Sequence, residues 1–316
     1  MIGIGPSIAK NPIINDPSAI GGLVLWYDFT KLDSLRQDRD GTGAVTADDD
    51  PVEWARNLAN GDAGGNILGS FARSQAAGSQ YGGTFKTGGA GGQPYIQFAT
   101  TDSDNLHGLR SGFIAADATD DGGVASDKFS DVSIDVDNFT IIQVLKHDDA
   151  IIEESDNSLF INSYPAVGGD TNNFQYNISK EAVDEKLRSG YVVIAGGFDV
   201  ESGVANDTLD TNPHVMVTRS TPGTNNMTMQ VDGVIQTDTD TPDDRTMKFD
   251  RATGVTTTQG GSAFLSIGGN FSNTSSFTKS WRGGIYETLI YNKFTTDDEL
   301  ANLEVYLGNK YGITIS

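Results

Sequence analysis

Glu287 is the residue in this chain whose setting first suggests chemistry. It is a single carboxylate inside GIYETLIYN, an otherwise apolar run with the composition of a β-strand. Glycoside hydrolysis needs two carboxyl groups on one cleft face, an acid/base and a nucleophile or second base. On a strand, a period-2 motif of the E-x-D-x-E type would supply both. Alternation places Ile285, Glu287, Leu289 and Tyr291 on one face, so the same strand offers no second acid. The nearest acid cluster, EAVDEK at 181–186, has helical rather than strand spacing. Glu287 is therefore expected to be structural, and no catalytic residue is assigned.

Other catalytic templates are missing too. The three histidines, His107, His147 and His214, fall in no H-x-H or H-E-x-x-H spacing and read as surface or strand-end residues. There is no G-x-S-x-G elbow and no G-x-x-x-x-G-K-[ST] loop. Without cysteine, disulfides and thiolate metal sites are excluded. Calcium is the ion left open, because oxygen ligands abound and sandwich folds can hold it between loops. The Asp pairs do not fit an EF-hand loop, and Asp148 with Asp149, at a strand end, is the metal-site candidate retained. For glycan contact, Tyr81 and Tyr164 are loop tyrosines free to meet a ligand. Trp26, Trp54 and Trp281 instead read as residues that fill or rim the core.

The elements that must position these side chains are mostly strands. Short runs rich in Val, Ile, Phe, Tyr and Thr, separated by Gly, Asn, Asp and Pro, recur from Gly22 onward. Asp232-Gly233 in MTMQVDGVIQT predicts a tight two-residue hairpin. Gly61 to Gln93 holds 11 glycines and reads as loop with one edge strand at 81–86; Ala115–Asp137 and Asp199–Pro213 read as polar insertions. Lys180–Arg188 is consistent with two helical turns. The clearest helix follows Thr296, which with Glu299 forms a capping box, and Leu300, Leu303, Tyr306 and Leu307 then share a face. It should pack on the preceding sheet and end near Gly308–Gly312. The fold class expected is all-β: a two-sheet antiparallel jelly-roll sandwich with an extended N-terminal arm (1–21), a single domain (22–316) and one C-terminal helix.

The ordered signatures LVLWYDFT, VEWARNLA, QPYIQF, FTIIQVLK, MQVDGVIQ, LSIGG and the closing WRGGIYETLIYNKFTTDDELANLEVYLGNKYGI resemble the laminin-G-like, concanavalin A-like lectin/glucanase jelly rolls found in bacteriophage structural proteins. The resemblance spans about residues 22–316 and implies the fold more firmly than any function.

Charge narrows the partners. Acids outnumber bases 43 to 21, for a net charge of −22 in 316 residues, which disfavours nucleic acid and anionic membranes. The N-terminus lacks the pattern of a signal peptide. Together with the resemblance, these features lead to the expectation of a non-enzymatic virion protein, made in a host cytoplasm. It would be a capsid decoration, cement or appendage component, self-associating (a trimer is the guess) and attached to the major capsid or another virion protein through its arm. The alternative is a carbohydrate-binding module for surface polysaccharide, assisted or not by calcium.

Overall fold

The computed structural model describes residues 14–38, 41–59, 67–70, 82–98, 108–110, 138–148, 156–164, 174–180, 186–193, 198–208, 210–220, 227–236, 262–272 and 276–316. The first eight strands are short: β1 (Leu23–Asp28), β2 (Leu35–Arg36), β3 (Pro51–Val52), β4 (Trp54–Arg56), β5 (Ile67–Ser70), β6 (Gly83–Lys86), β7 (Tyr95–Gln97) and β8 (Leu109–Arg110). Longer ones follow: β9 (Phe139–His147), β10 (Asp156–Tyr164), β11 (Phe174–Lys180), β12 (Lys186–Val193), β13 (Phe198–Thr208), β14 (His214–Ser220), β15 (Met227–Val231) and β16 (Val234–Ile235). The chain closes with β17 (Ser262–Ile267), β18 (Gly269–Ser272), β19 (Ser276–Ser280), β20 (Gly283–Tyr291) and the helix α1 (Asp297–Tyr311).

These strands form an all-β, two-sheet antiparallel jelly-roll sandwich with one C-terminal helix. The first sheet runs β16-β15-β14-β9-β20 and continues through β7, β6 and β3, with β1 and β7 sharing the far edge of β20. The second runs β13-β12-β11-β10-β17-β8-β5-β4-β2, and β18–β19 is a separate hairpin. One apolar cluster lies between the sheets, where Tyr27, Ile141, Leu145, Ile285 and Ile290 of the first meet Leu35, Ala55, Leu109, Leu159, Leu265 and Ile267 of the second. A second cluster covers the opposite face of the first sheet, where Ile142, Val144, Val215, Val217 and Leu289 pack under Leu300, Leu303 and Leu307 of α1. Covered on both faces, β20 is buried at all nine positions, which explains its nearly unbroken apolar run.

The helix starts as its sequence requires. Thr296 Oγ1 accepts from the Glu299 N–H, and the Glu299 carboxylate accepts from the Thr296 N–H. Gly312, in the left-handed region at φ 66°, ends it. At the Asp232-Gly233 turn both residues have positive φ, 51° and 82°, as a two-residue hairpin turn of this hand demands.

Several local expectations are corrected. Lys180–Arg188 is not helical at its described positions: Lys180 ends β11, Lys186 opens β12, and Ser179 pairs with Arg188 across them. Ladder pairing between two strong strands overrides the modest helix propensity of the charged segment. Most of 199–213 is no insertion, since β13 forms an edge of the second sheet. The 61–93 region contains β5 as well as β6, and β6 is flanked by β7 and β3 rather than lying at an edge. The arm is not extended throughout. Pro17 and Ile20 are buried, and Tyr291 Oη donates to the Pro17 carbonyl at 3.0 Å. Residues 1–13 and the 115–137 segment lie outside the described residues.

Candidate functional site

The site is built where three elements meet. β1 pairs antiparallel with β20, and the register sets Asp28 opposite Glu287 and Trp26 opposite Leu289. A register shift between Ile285 and Glu287 in the β9–β20 ladder breaks the alternation of β20. Ile285 consequently points into the inter-sheet core, while Tyr286, Leu289 and Tyr291 join the cluster under α1. The face shared by Ile285 and Glu287 in the sequence reading is thus corrected by a bulge that no periodicity reveals.

The expectation that Glu287 lacks a second carboxylate is also corrected: Asp28 supplies it from the neighbouring strand. Both acids are buried, at 0% and 1% exposure. Lys310, from the last turn of α1, reaches down so that its Nζ lies 2.8 Å from Asp28 Oδ2 and 2.8 Å from Glu287 Oε2. Trp26 Nε1 donates to Glu287 Oε1 at 2.7 Å, and Tyr311 Oη donates to Glu287 Oε2 at 2.7 Å. Asp28 Oδ1 accepts from the Thr30 N–H at 3.0 Å and the Thr30 hydroxyl at 2.7 Å. Each carboxylate oxygen therefore has a donor, as buried charge requires.

Burial pushes the Glu287 carboxyl above its ordinary value; the charge of Asp28 adds to the push, and Lys310 and Tyr311 oppose it. The Tyr311 hydroxyl is pushed well up, chiefly by burial and then by the Glu287 charge. Tyr306 shifts the same way for the same leading reason. One ammonium between two carboxylates can hold two strands and a helix together. A hydrolase arrangement needs its carboxyls facing a bound sugar, whereas these lie between a sheet and the helix that covers it. Asp28 and Lys310 were missed because strand pairing and helix docking bring them to Glu287 from 259 and 23 positions away in the sequence. An Asp inside the apolar run LVLWYDFT was the one local hint.

The remaining candidates are dispersed. Trp281 is fully buried, donates from Nε1 to the Lys146 carbonyl at 2.9 Å, and meets His147 edge-to-face at 5.0 Å between centroids. Trp54 is half-buried beneath the Arg36 guanidinium, 5.5 Å from its ring centroid. Tyr164 is corrected from loop to strand, being the last residue of β10 paired with Ser262. Tyr81 and Asp149 lie outside the described residues. Asp148 is ion-paired with Lys146 at 3.1 Å. Among the described residues no group of three or more His, Asp or Glu side chains is arranged to hold a metal. The Asp48–Asp50 run serves its own turn: Asp48 accepts from Thr87, Asp50 accepts from the N–H groups of Thr46 and Ala47, and both carboxyls are held low mainly by these backbone bonds. Asp49 pairs with Lys86.

No family model matches the chain, and no curated protein does. Solved structures of similar outline include Trypanosoma rangeli sialidase in complex with sialic acid, 11% identical with a TM-score of 0.45 over 91% of this chain and 33% of that one. The native heptameric SAP-like pentraxin from Limulus polyphemus is 12% identical, with a TM-score of 0.39 over 68% of this chain and 81% of that one. The CBM40 of Ruminococcus gnavus IT-sialidase bound to α2,3 sialyllactose is 13% identical, with a TM-score of 0.40 over 66% of this chain and 95% of that one. The chain spans about a third of the length of the sialidase chains it matches. Likeness this distant assigns no site or activity to the chain.

Proposed function

We propose that this protein is a non-catalytic structural module, a virion component of the decoration, cement or appendage type built on a lectin-like jelly roll. The observation that carries the non-catalytic part is the Asp28–Glu287–Lys310 cluster. Its two carboxylates are buried, share one lysine ammonium and lie beneath α1. What the cluster does instead is tie the first strand to the last strand and to the final helix. The net charge of −22 supports the same reading, because like-charged copies stay soluble when crowded on a particle.

The test is quantitative mass spectrometry of density-purified particles from the source. A fixed, high ratio to the major shell protein identifies a decoration component, and a few copies identify an appendage. Absence from the particles overturns the virion reading. Binding of the isolated chain to polysaccharide would then assign it to carbohydrate recognition. Attachment through the arm is tested by removing residues 1–13 and no more, since Pro17 and Ile20 belong to the domain's own packing. The truncated chain is expected to fold, to keep its oligomeric state by light scattering, and to lose its place on the particle.

A further inference from the structure

His214, the first residue of β14, stands between two carboxylates from different parts of the chain. Its Nδ1 lies 2.7 Å from Asp232 Oδ2, and its Nε2 lies 3.0 Å from Asp210 Oδ1. A neutral imidazole has one N–H and one lone pair, so one nitrogen would turn a lone pair toward a carboxylate at hydrogen-bond distance. Only the imidazolium, donating from both nitrogens, satisfies the two contacts together. The ring is well shielded, at 17% side-chain exposure.

Each carboxylate has a further backbone or amide partner besides the histidine. Asp210 accepts from the Asn212 N–H at 2.6 Å and from Asn212 Nδ2 at 2.7 Å. Asp232 Oδ1 accepts from the Val215 N–H at 2.8 Å, and the Asp232 N–H donates to the Val215 carbonyl at 2.9 Å. The Asp232 carbonyl in turn accepts from the Ser316 N–H at 2.9 Å. The last residues lie directly on this turn: a Cβ at Gly233 would stand 2.7 Å from the main-chain oxygen of Ser316.

We propose that His214 is a proton-operated clasp. As an imidazolium it joins the 210–213 segment to the Asp232-Gly233 turn and, through that turn, holds residues 313–316 against the sheet; loss of one ring proton opens it. The groups that face it are Asp210 from the preceding segment and Asp232 from the hairpin. From α1, Glu304 is within electrostatic reach of Asp232: burial raises the Glu304 carboxyl, the Arg219 charge opposes that, and the Asp232 charge adds to it. On β9 its register partner is Leu145, and the adjacent Lys146 is engaged with Asp148. Burial alone would lower the imidazole, but the bonds and charges of Asp232 and then Asp210 outweigh it and raise it above 6.5. A raised value in the folded state means that the clasp contributes its full stability below 6.5 and loses it as pH climbs through the folded value.

The experiment is a histidine-resolved NMR titration of the full chain, with amide exchange read at Val215 and Ser316. Protons on both ring nitrogens at pH 6, a midpoint above 6.5, and a drop in Ser316 and Val215 protection factors on passing that midpoint are expected. Asp210→Asn, at a mostly exposed position, should lower the midpoint while leaving the fold intact, and Asp232→Asn should lower it further. A His214 ring with a single proton at pH 6, a midpoint at or below 6.5, or protection at Ser316 indifferent to the titration would overturn the proposal.

Discussion

Asp28 and Glu287 face each other in register across β1 and β20, and the ammonium of Lys310 stands 2.8 Å from an oxygen of each. Three charges thus meet between a sheet and a helix with a formal sum of −1; burial first and the Asp28 charge second raise the Glu287 carboxyl above its ordinary value. Trp26, Thr30 and Tyr311 complete the donors. The cluster's position beneath α1 is what separates it from a catalytic dyad.

Lys310→Met leaves two buried carboxylates without their cation. Breaking a buried pair from one side costs about 3–5 kcal/mol, more than removing both partners together. Urea unfolding is expected to show this loss in Lys310→Met and a smaller one in the triple variant Asp28→Asn, Glu287→Gln, Lys310→Met. Equal losses in the two would mean that the lysine contributes packing and not charge.

The pH dependence of Glu287 has a defined sign. Its carboxyl is raised in the folded state, so the folded chain binds that proton more tightly than the unfolded one. The contribution is greatest below the ordinary value of 4.5 and declines as pH rises through the folded value. Glu287→Gln removes this titration. The stability difference between the parent and Glu287→Gln, followed by urea unfolding across mildly acidic to neutral pH, should shift in favour of the glutamine as pH rises. A constant difference would remove the raised carboxyl from the account.

Thr296→Ala opens the capping box at the start of α1. The expected cost is about 1 kcal/mol, typical of losing an N-cap side chain. Because α1 covers the acid cluster, hydrogen exchange should quicken at the first turn of the helix before it quickens at Lys310. Loss at both ends together would instead mark α1 as a single cooperative unit with the sheet.

Asp148→Asn should leave any response of the thermal midpoint to calcium, added after chelation, unchanged, since Lys146 already pairs with Asp148. A midpoint that rises with calcium concentration would reveal a site that binds the folded chain preferentially. Loss of that rise in Asp148→Asn would place the site at the end of β9.

Much of the strand set was legible because its signals are local. FTIIQVLK makes up all but the last residue of β9, and MTMQV is β15 residue for residue. The Asp232-Gly233 turn and the Thr296–Glu299 box are equally local, each decided by bonds a few residues apart. The helical reading of 180–188 failed where its spacing was tested against neighbours it could not represent. Once β11 and β12 pair, the ends of that segment gain ladder bonds that a two-turn helix could not match.

The amino-acid sequence by itself determined the class of the protein: an acidic, cysteine-free, strand-rich chain with one well-capped final helix and no recognisable catalytic motif. Only the tertiary structure decided what Glu287 does. Its partners Asp28 and Lys310 are set by which strand lies beside β20, by a bulge that changes which side chains face the helix, and by where the last turn of α1 lands. The same holds for His214, whose two carboxylates are brought together by one turn and one hairpin. Periodicity reports which face a side chain takes within its own element. The charge it meets across the sheet depends on pairing and docking, which are properties of the folded chain.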